Sequence, residues 1–320
     1  MTTWLVADIG ATHLRAAVCP AGAAAPGAVT TLRCADFPRL EDALAACIAA
    51  AGAAPAAACL AVAGPVAGDA FSFTNSPWRF SRDALARRLG LARLAVVNDF
   101  AALARALPAL GAADLAGIGG GVAAARAARA VLGPGSGLGM AILAPQPAQA
   151  GGWVVLAGEG GHAGFAPGDP FEDELARVLR ARHGRLCNES LLSGPGLERL
   201  YAAVAAVEGR PARPLAAAEV SALALAGTDA AARRALGVFF AVLGSVAGDL
   251  ALVAGARGGV YVGGGIVPRM VDALRASDFR RRFEDKGAMR DYVAAIPTAA
   301  IVAPHPALVG ALALLAETPA

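Results

Sequence analysis

Leu94-Ala-Val-Val-Asn-Asp-Phe100 is an apolar run that ends in two polar residues and then changes character. Leu94 to Val97 reads as a short buried strand, and Phe100 to Leu107 has helix-forming composition until Pro108 stops it. Ligands of α/β sheets lie just beyond the carboxyl ends of strands, which is where this reading puts Asn98 and Asp99. Asp99 is a candidate general base with Asn98 as a hydrogen-bonding neighbour. The competing reading is a helix N-cap, a position that Asp and Asn favour.

Working outward, the chain before this stretch reads as strand, strand, strand, helix, strand. Thr3 to Ile9 leads through a tight turn into Leu14 to Cys19. A weaker strand runs over Val29 to Ala35, a helix over Leu40 to Ala51, and a strand over Cys59 to Ala63. A hairpin start followed by a helical crossover predicts a mixed sheet. Phe71 to Phe73 is a further short strand, and Ser81 caps a helix that Gly90 closes. Beyond Pro108 few periodic elements are expected until Val131. Asp169-Pro170 opens a well-marked helix, helices dominate Gly196 to Ala256, Val260 to Val262 is a strand, and Pro306 to Ala316 is a final apolar helix. No internal sequence repeat stands out.

At 320 residues two domains are expected. Hydrophobic residues make up 57% and mean hydropathy is +0.54, yet much of the apolar count is alanine. The longest apolar helix candidate, Ala235 to Ala247, is too short to span a bilayer and reads as a core helix. No signal-peptide pattern precedes Asp8, so a cytoplasmic protein with no membrane partner is expected. The net charge of +3 is dispersed, and Arg280-Arg281-Arg282 is followed at once by Glu284 and Asp285. That run reads as a solvated helix end, not a nucleic-acid contact. The five cysteines show no paired spacing and read as free thiols.

Three strand-to-glycine turns carry the remaining signal: Asp8 to Thr12, Gly133 to Gly139, and Gly263 to Gly265. Glycine lets backbone N–H groups approach an anion closely. Neither a full dinucleotide fingerprint nor a Walker A sequence is present, so it is the three turns together that indicate a nucleotide triphosphate. Asp8 is a hard carboxylate suited to Mg²⁺, probed against the alternative of a turn-stabilising Asp. Glu159 and His162 lie in a glycine-flanked loop without a third metal ligand nearby, which suits a polyhydroxylated ligand better than a metal. Glu189 alone reads equally well as a helix-start charge.

These residues resemble the bacterial ATP-dependent glucokinases of the hexokinase–actin superfamily over nearly the whole chain. The likeness is carried, in order, by Asp8-Ile-Gly-Ala-Thr12, Thr74-Asn75, Asn98-Asp99-Phe100 and Gly133-Pro-Gly-Ser-Gly-Leu-Gly139. It continues through Gly158-Glu-Gly-Gly-His162, Leu192-Ser-Gly-Pro-Gly196, Gly263 to Arg269 and Phe283-Glu-Asp-Lys-Gly287. The resemblance implies an α/β, two-lobed, actin-like ATPase (ribonuclease H-like) fold with mixed sheets around a cleft. The small domain would be residues 1–109 completed by a C-terminal helix in 303–320, and the large domain 110–302. It implies ATP-dependent phosphorylation of glucose, with Asp99 as the base for the 6-hydroxyl and Asn75, Asn98, Glu159, His162 and Glu189 around the sugar. Asp8, Gly10, Ala11, Thr12, Gly133, Gly135, Ser136 and Gly137 would hold the phosphates, with Mg²⁺ at Asp8 through water. Gly264 and Gly265 would line the adenosine pocket, and a homodimer is implied.

The family's first turn usually reads Asp-x-Gly-Gly-Thr-Asn, whereas Ala11 and His13 stand here. That difference bears on the phosphoryl donor more than on the sugar. We expect the Ala11 turn to keep a negative φ. The competing functions are a kinase for another hexose or an N-acetylated sugar, and a catalytically silent sugar binder. A sugar-responsive transcription regulator would need a DNA-binding module, for which no room is expected ahead of Trp4.

Overall fold

The computed structural model describes residues 2–73, 77–146 and 152–317. The chain divides into two compact units, one of Met1–Asp114, Val155–Ala157 and Ala303–Ala320, the other of Leu115–Val154 and Gly158–Val302. In the first unit, β1 (Thr3–Ile9), β2 (His13–Pro20), β3 (Thr30–Arg33) and β4 (Ala57–Val62) join one sheet. β5 (Ala70–Ser72) pairs with β6 (Arg79–Ser81) in a separate ribbon, and β7 (Arg93–Asn98) completes the main sheet in the order β3-β2-β1-β4-β7. β1, β4 and β7 are parallel, while β1–β2 and β2–β3 are antiparallel.

Alternation along β1 explains the layers. Leu5, Ala7 and Ile9 pack on the α1 (Leu40–Ala51) side with Leu40 and Leu44, while Val6 faces Leu308 and Leu312 of the helix Pro306–Glu317. β4 is buried at every residue because both faces are covered, as expected of a central parallel strand. α2 (Arg82–Leu89) begins at Ser81, whose hydroxyl accepts from the Ala84 N–H, and ends at left-handed Gly90. The third strand is shorter than its sequence suggests, because Cys34–Asp36 winds into a 3₁₀ turn. α3 (Asp99–Ala106) lies against Pro306–Glu317 so closely that a Cβ on Gly310 would stand 1.7 Å from the Ala102 carbonyl oxygen.

A second sheet consists of β8 (Leu115–Gly119), β9 (Arg129–Pro134), β10 (Leu138–Pro145), β11 (Trp153–Gly158), β12 (Val260–Val262) and β13 (Thr298–Ile301), all of the second unit except Val155–Ala157 of β11. Its order is β11-β10-β9-β12-β13-β8. β9 and β10 form an antiparallel hairpin, β9, β12 and β13 run parallel, and β8 is antiparallel to β13. Apart from β8, the order repeats that of the first sheet: a hairpin whose first strand starts a parallel run. This repeat is one of topology and leaves no trace in residue spacing. β8 also falls in the stretch between Pro108 and Val131, where few periodic elements are expected.

The helices of the second unit are α4 (Pro170–His183), α5 (Gly194–Val207), α6 (Ala217–Ala226), α7 (Ala230–Ala254), α8 (Val271–Arg275), α9 (Phe279–Glu284) and α10 (Arg290–Ala294), which leaves Pro306–Glu317 as α11. The expected core helix is longer than its sequence reading. α7 has 25 residues and is long and apolar enough to cross a membrane, but most of it is buried among Phe239, Phe240, Leu243 and their neighbours. Gly244 lies within it; a Cβ there would meet the Phe279 carbonyl oxygen at 2.1 Å, so the glycine lets α9 approach. The arginine run is likewise not uniformly solvated. Arg281 is exposed and pairs with Asp278, while Arg282 is 4% exposed and holds buried Glu172 through bonds of 2.7 and 2.9 Å. With α9 packed on α7, one of three consecutive arginines must face inward, and Glu172 meets its charge.

Candidate active site

In the first unit, Ile9 is level with Val62, and Val62 with Asn98, so three parallel strands end in a row. At about 4.8 Å per strand, Asp99 stands roughly 10 Å across the sheet from the β1–β2 turn. Asn98, not Asp99, caps α3: its Oδ1 accepts from the N–H groups of Phe100 (2.9 Å) and Ala101 (3.1 Å). Its Nδ2 donates to the Gly64 carbonyl at 3.2 Å, tying β7 to the end of β4. Asp99 is therefore the first helical residue, with Oδ1 2.9 Å from the Phe100 N–H, at the positive end of the helix. The capping duty that competed for Asp99 has gone to its neighbour.

The β1–β2 turn is held by the Gly10 N–H donating to the His13 carbonyl (3.0 Å), the Cys34 N–H to the Thr12 carbonyl (2.9 Å), and the Cys34 thiol to the Gly10 carbonyl (3.4 Å). Among the described residues other than glycine, only Arg126 and His305 have positive φ, so Ala11 keeps the negative φ expected of it. Ala11 borders a concavity of about 480 Å³ lined also by Cys34, Phe37, Pro77 and Trp78. Asp8 lies opposite Arg15 across the hairpin, 3.6 Å from its guanidinium. Burial raises the Asp8 carboxyl above its usual range, although Arg15 and His305 pull the other way. Asn75 falls outside the described residues.

In the second unit, the β9–β10 turn closes with the Gly135 N–H donating to the Gly137 carbonyl at 2.7 Å. The β12 turn lies beside it, backbone against backbone. A Cβ on Gly133 would meet Gly263 C at 2.5 Å, and one on left-handed Gly264 would meet the Pro134 oxygen at 2.4 Å. Gly265 follows directly, and the Ile266 N–H donates to the Pro134 carbonyl at 3.3 Å. The Gly194 N–H, in the first turn of α5, donates to the Gly135 carbonyl at 2.8 Å. Gly133, Gly135, Ser136, Gly137, Gly264 and Gly265 thus form one surface of closely spaced backbone.

Glu189 belongs to that surface. Its Oε2 accepts from the Leu138 N–H at 2.8 Å, and a Cβ on Gly137 would stand 2.4 Å from the same oxygen. The loop with Glu159 and His162 is pressed onto β10, since a Cβ on Gly161 would meet the Leu138 oxygen at 2.2 Å. Hydrogen bonding to Cys187 first, and then the Glu189 charge, raise the His162 imidazole above its ordinary value. Cys187, Arg15 and Cys34 are contacts of candidate residues that the sequence reading missed. Only Cys187 left a signal there, two residues before Glu189. Among the described residues no three His, Cys, Asp or Glu side chains cluster as a metal site requires.

In the second unit the Glu159 and Glu189 carboxylates and the His162 imidazole are groups that can hydrogen-bond a polyhydroxylated ligand, and in each unit a glycine-containing hairpin turn has the bare backbone that an anion can approach. Comparison with known proteins gives these groups a context. The glucokinase family model matches residues 5–318. The glucokinase of Chromobacterium violaceum is 48% identical over 317 residues, covering 98% of this chain and 89% of that one. The crystal structure of a glucokinase from an Antarctic psychrotroph matches with a TM-score of 0.89 and 38% identity, covering 99% of this chain and 100% of that one. A ROK family glucokinase from Streptomyces griseus, in complex with glucose and AMPPNP, shares the fold at a TM-score of 0.67 and 23% identity, covering 98% of each chain.

Proposed function

The chain belongs to the glucokinase family, and from that premise we propose how it works. It phosphorylates glucose at the expense of ATP. Asp99 takes the proton of the sugar 6-hydroxyl as the γ-phosphoryl group arrives. The observation supporting this role is the division of labour at the head of α3, where Asn98 caps the helix and Asp99 follows at the carboxyl end of the β-sheet. Phosphoryl transfer passes through a loose transition state, so the hydroxyl proton leaves late and a carboxylate of ordinary basicity suffices.

Glu159, His162, Glu189, Asn98 and Asn75 bind sugar hydroxyls, Asn98 with the amide hydrogen it does not give to Gly64. The Gly10-Ala-Thr12 and Gly133 to Gly137 turns cradle phosphates, and Gly264 and Gly265 line the adenosine pocket. Mg²⁺ fits Asp8: this hard carboxylate is raised by burial even with Arg15 beside it, so a divalent charge would favour its ionised form, and one carboxylate plus phosphates and water satisfies this ion. Mg²⁺ held there through water would neutralise charge on the transferring phosphates. We read the two units as the small and large domains, and the working enzyme as a cytoplasmic homodimer.

The test is Asp99→Asn in a coupled assay. We expect kcat to fall at least about a hundredfold while the glucose Kd stays within about tenfold, because proton acceptance rests on one group and binding on several. Turnover above a few per cent would remove Asp99 from the base role. Running the native enzyme on glucose, mannose and N-acetylglucosamine tests the sugar assignment, since greater kcat/KM on either competitor would overturn it.

A further inference from the structure

The five thiols of this chain differ sharply in surroundings. Cys19, Cys34, Cys47 and Cys59 are between 0 and 6% exposed, and burial pushes each of them upward, Cys59 to about 12. Cys187 is partly exposed. Its Sγ lies 3.9 Å from His162 Nδ1 and 3.3 Å from Ser190 Oγ, and its N–H donates to that same hydroxyl at 3.0 Å. Burial alone would raise this thiol, but the bonds to Ser190 and His162 outweigh it and pull it below its ordinary value. A thiol paired with an imidazole and open to solvent is the arrangement that makes a cysteine reactive, while buried thiols stay inert.

The position of the pair gives that reactivity a consequence. Cys187 precedes the 3₁₀ turn Asn188–Ser190, which carries Glu189 to the Leu138 N–H. The Asn188 N–H donates to the Ala163 carbonyl at 2.9 Å, so the turn and the His162 loop are joined on both sides of the sulfur. A group attached to Sγ would occupy the space between His162 and this turn.

We propose that Cys187, with His162 as its base, is a thiol-modification site for small disulfides, and that its modification switches off glucose binding. The inference rests on the reading of His162 and Glu189 as sugar-binding groups. In the reaction the imidazole accepts the Sγ proton and the thiolate attacks one sulfur of the disulfide. The Cys187–S–S–R bond forms as the R–S–S–R bond breaks. The electron pair leaves on the departing thiolate, which takes up the proton, so no further oxidant is needed. A dithiol reverses the step.

The experiment treats the native enzyme with an aromatic disulfide that releases a coloured thiolate. One equivalent should appear rapidly, with label mapped to Cys187, and the other four thiols should react only after denaturation. Glucose should slow the reaction about tenfold or more, and the labelled enzyme should show a glucose KM raised at least about tenfold until a dithiol restores it. Cys187→Ser, which keeps a hydroxyl facing Ser190, should retain kcat and KM within about twofold and resist the reagent. Equally rapid inactivation of Cys187→Ser, or an unchanged glucose KM in the singly labelled native enzyme, would overturn the proposal. Glu159→Gln separates the two readings, because Glu159 is not a partner of the thiol. If it raises the glucose KM while labelling does not, the Cys187 proposal alone fails. If neither does, the sugar-loop reading fails and the proposal falls with it.

Discussion

The β1–β2 turn at Gly10-Ala-Thr12 and the β9–β10 turn at Gly135-Ser-Gly137 occupy the same place in a shared strand order, yet they tolerate side chains differently. In the first, a Cβ on Gly10 would touch only the His13 carbonyl oxygen at 3.5 Å, and Ala11 borders an open concavity. In the second, a Cβ on Gly135 would meet only the Gly265 nitrogen at 3.9 Å, but one on Gly137, or on Gly133 at the end of β9, would stand 2.5 Å or less from Glu189 or from neighbouring backbone. Glycine in the first turn leaves backbone bare, whereas Gly137 in the second makes room for Glu189. A turn of this kind can therefore do without a glycine where nothing presses on it. Ala11 is such a place.

The largest effect outside Asp99 should come from the side chains that the packed turn supports. Glu159→Gln or His162→Ala should raise the glucose KM roughly 10- to 150-fold, from the loss of about 1.5–3 kcal/mol in a hydrogen bond to a charged group. The ATP KM should stay nearly constant. A rise in the ATP KM with glucose unaffected would reverse the division of roles between the two regions.

Next comes the contrast between glycines. Gly137→Ala should displace Glu189 and destabilise the protein by about 1–3 kcal/mol, read as a lower midpoint in denaturant, while also raising the glucose KM. Gly10→Ala should shift the midpoint by less than about 1 kcal/mol. Equal shifts for the two variants would erase the difference drawn above.

Asp8 offers a smaller and pH-dependent effect. Its folded-state pKa is raised by burial, so the folded protein holds this proton more tightly than the unfolded chain. The cost of ionising it is absent below the unfolded pKa of about 3.9 and complete once the pH exceeds the folded pKa. Asp8→Asn should therefore raise Tm at pH 7 without Mg²⁺ or nucleotide, and the gain should shrink as pH falls toward about 4. Activity should drop in the same variant. A lower Tm at pH 7 would show that the Arg15 pair outweighs the burial of the charge.

The smallest change is expected from Ala11→Gly, which should alter kcat/KM for MgATP by less than about threefold, well short of the roughly 1.4 kcal/mol behind a tenfold change. A tenfold gain would mean that the methyl group obstructs the phosphate and would reopen the choice of donor.

Local chemistry made much of the fold legible. Asp169-Pro170 marks the start of α4 to the residue, and Ser81 and Gly90 bracket α2, because caps act through the nearest backbone groups. Non-local partners were not legible. The expected helix Ala235 to Ala247 stops short of Asp249, whereas α7 runs on through it to Ala254, and Gly244 inside it serves the approach of α9. Leu115–Gly119 becomes a strand through its pairing with β13, which no spacing announces. At the site, residue types picked out Glu159 and His162 as candidates, Glu189 came in only with the family resemblance, and the choice between Asn98 and Asp99 as cap needed coordinates. Arg282 needed them too, since only the third dimension brings Glu172 to it.

α11 also imposes an order of events on synthesis. Val6, Ala17 and Cys59 face Leu308, Leu312 and Leu315, so one side of the first sheet is roofed by a helix made about 190 residues after Asp114. At roughly 5–20 residues per second, the ribosome leaves that apolar side bare for about 10–40 s. The second unit, whose chain is nearly continuous, can fold during the wait. The nascent first unit keeps that apolar side uncovered until its own last helix emerges.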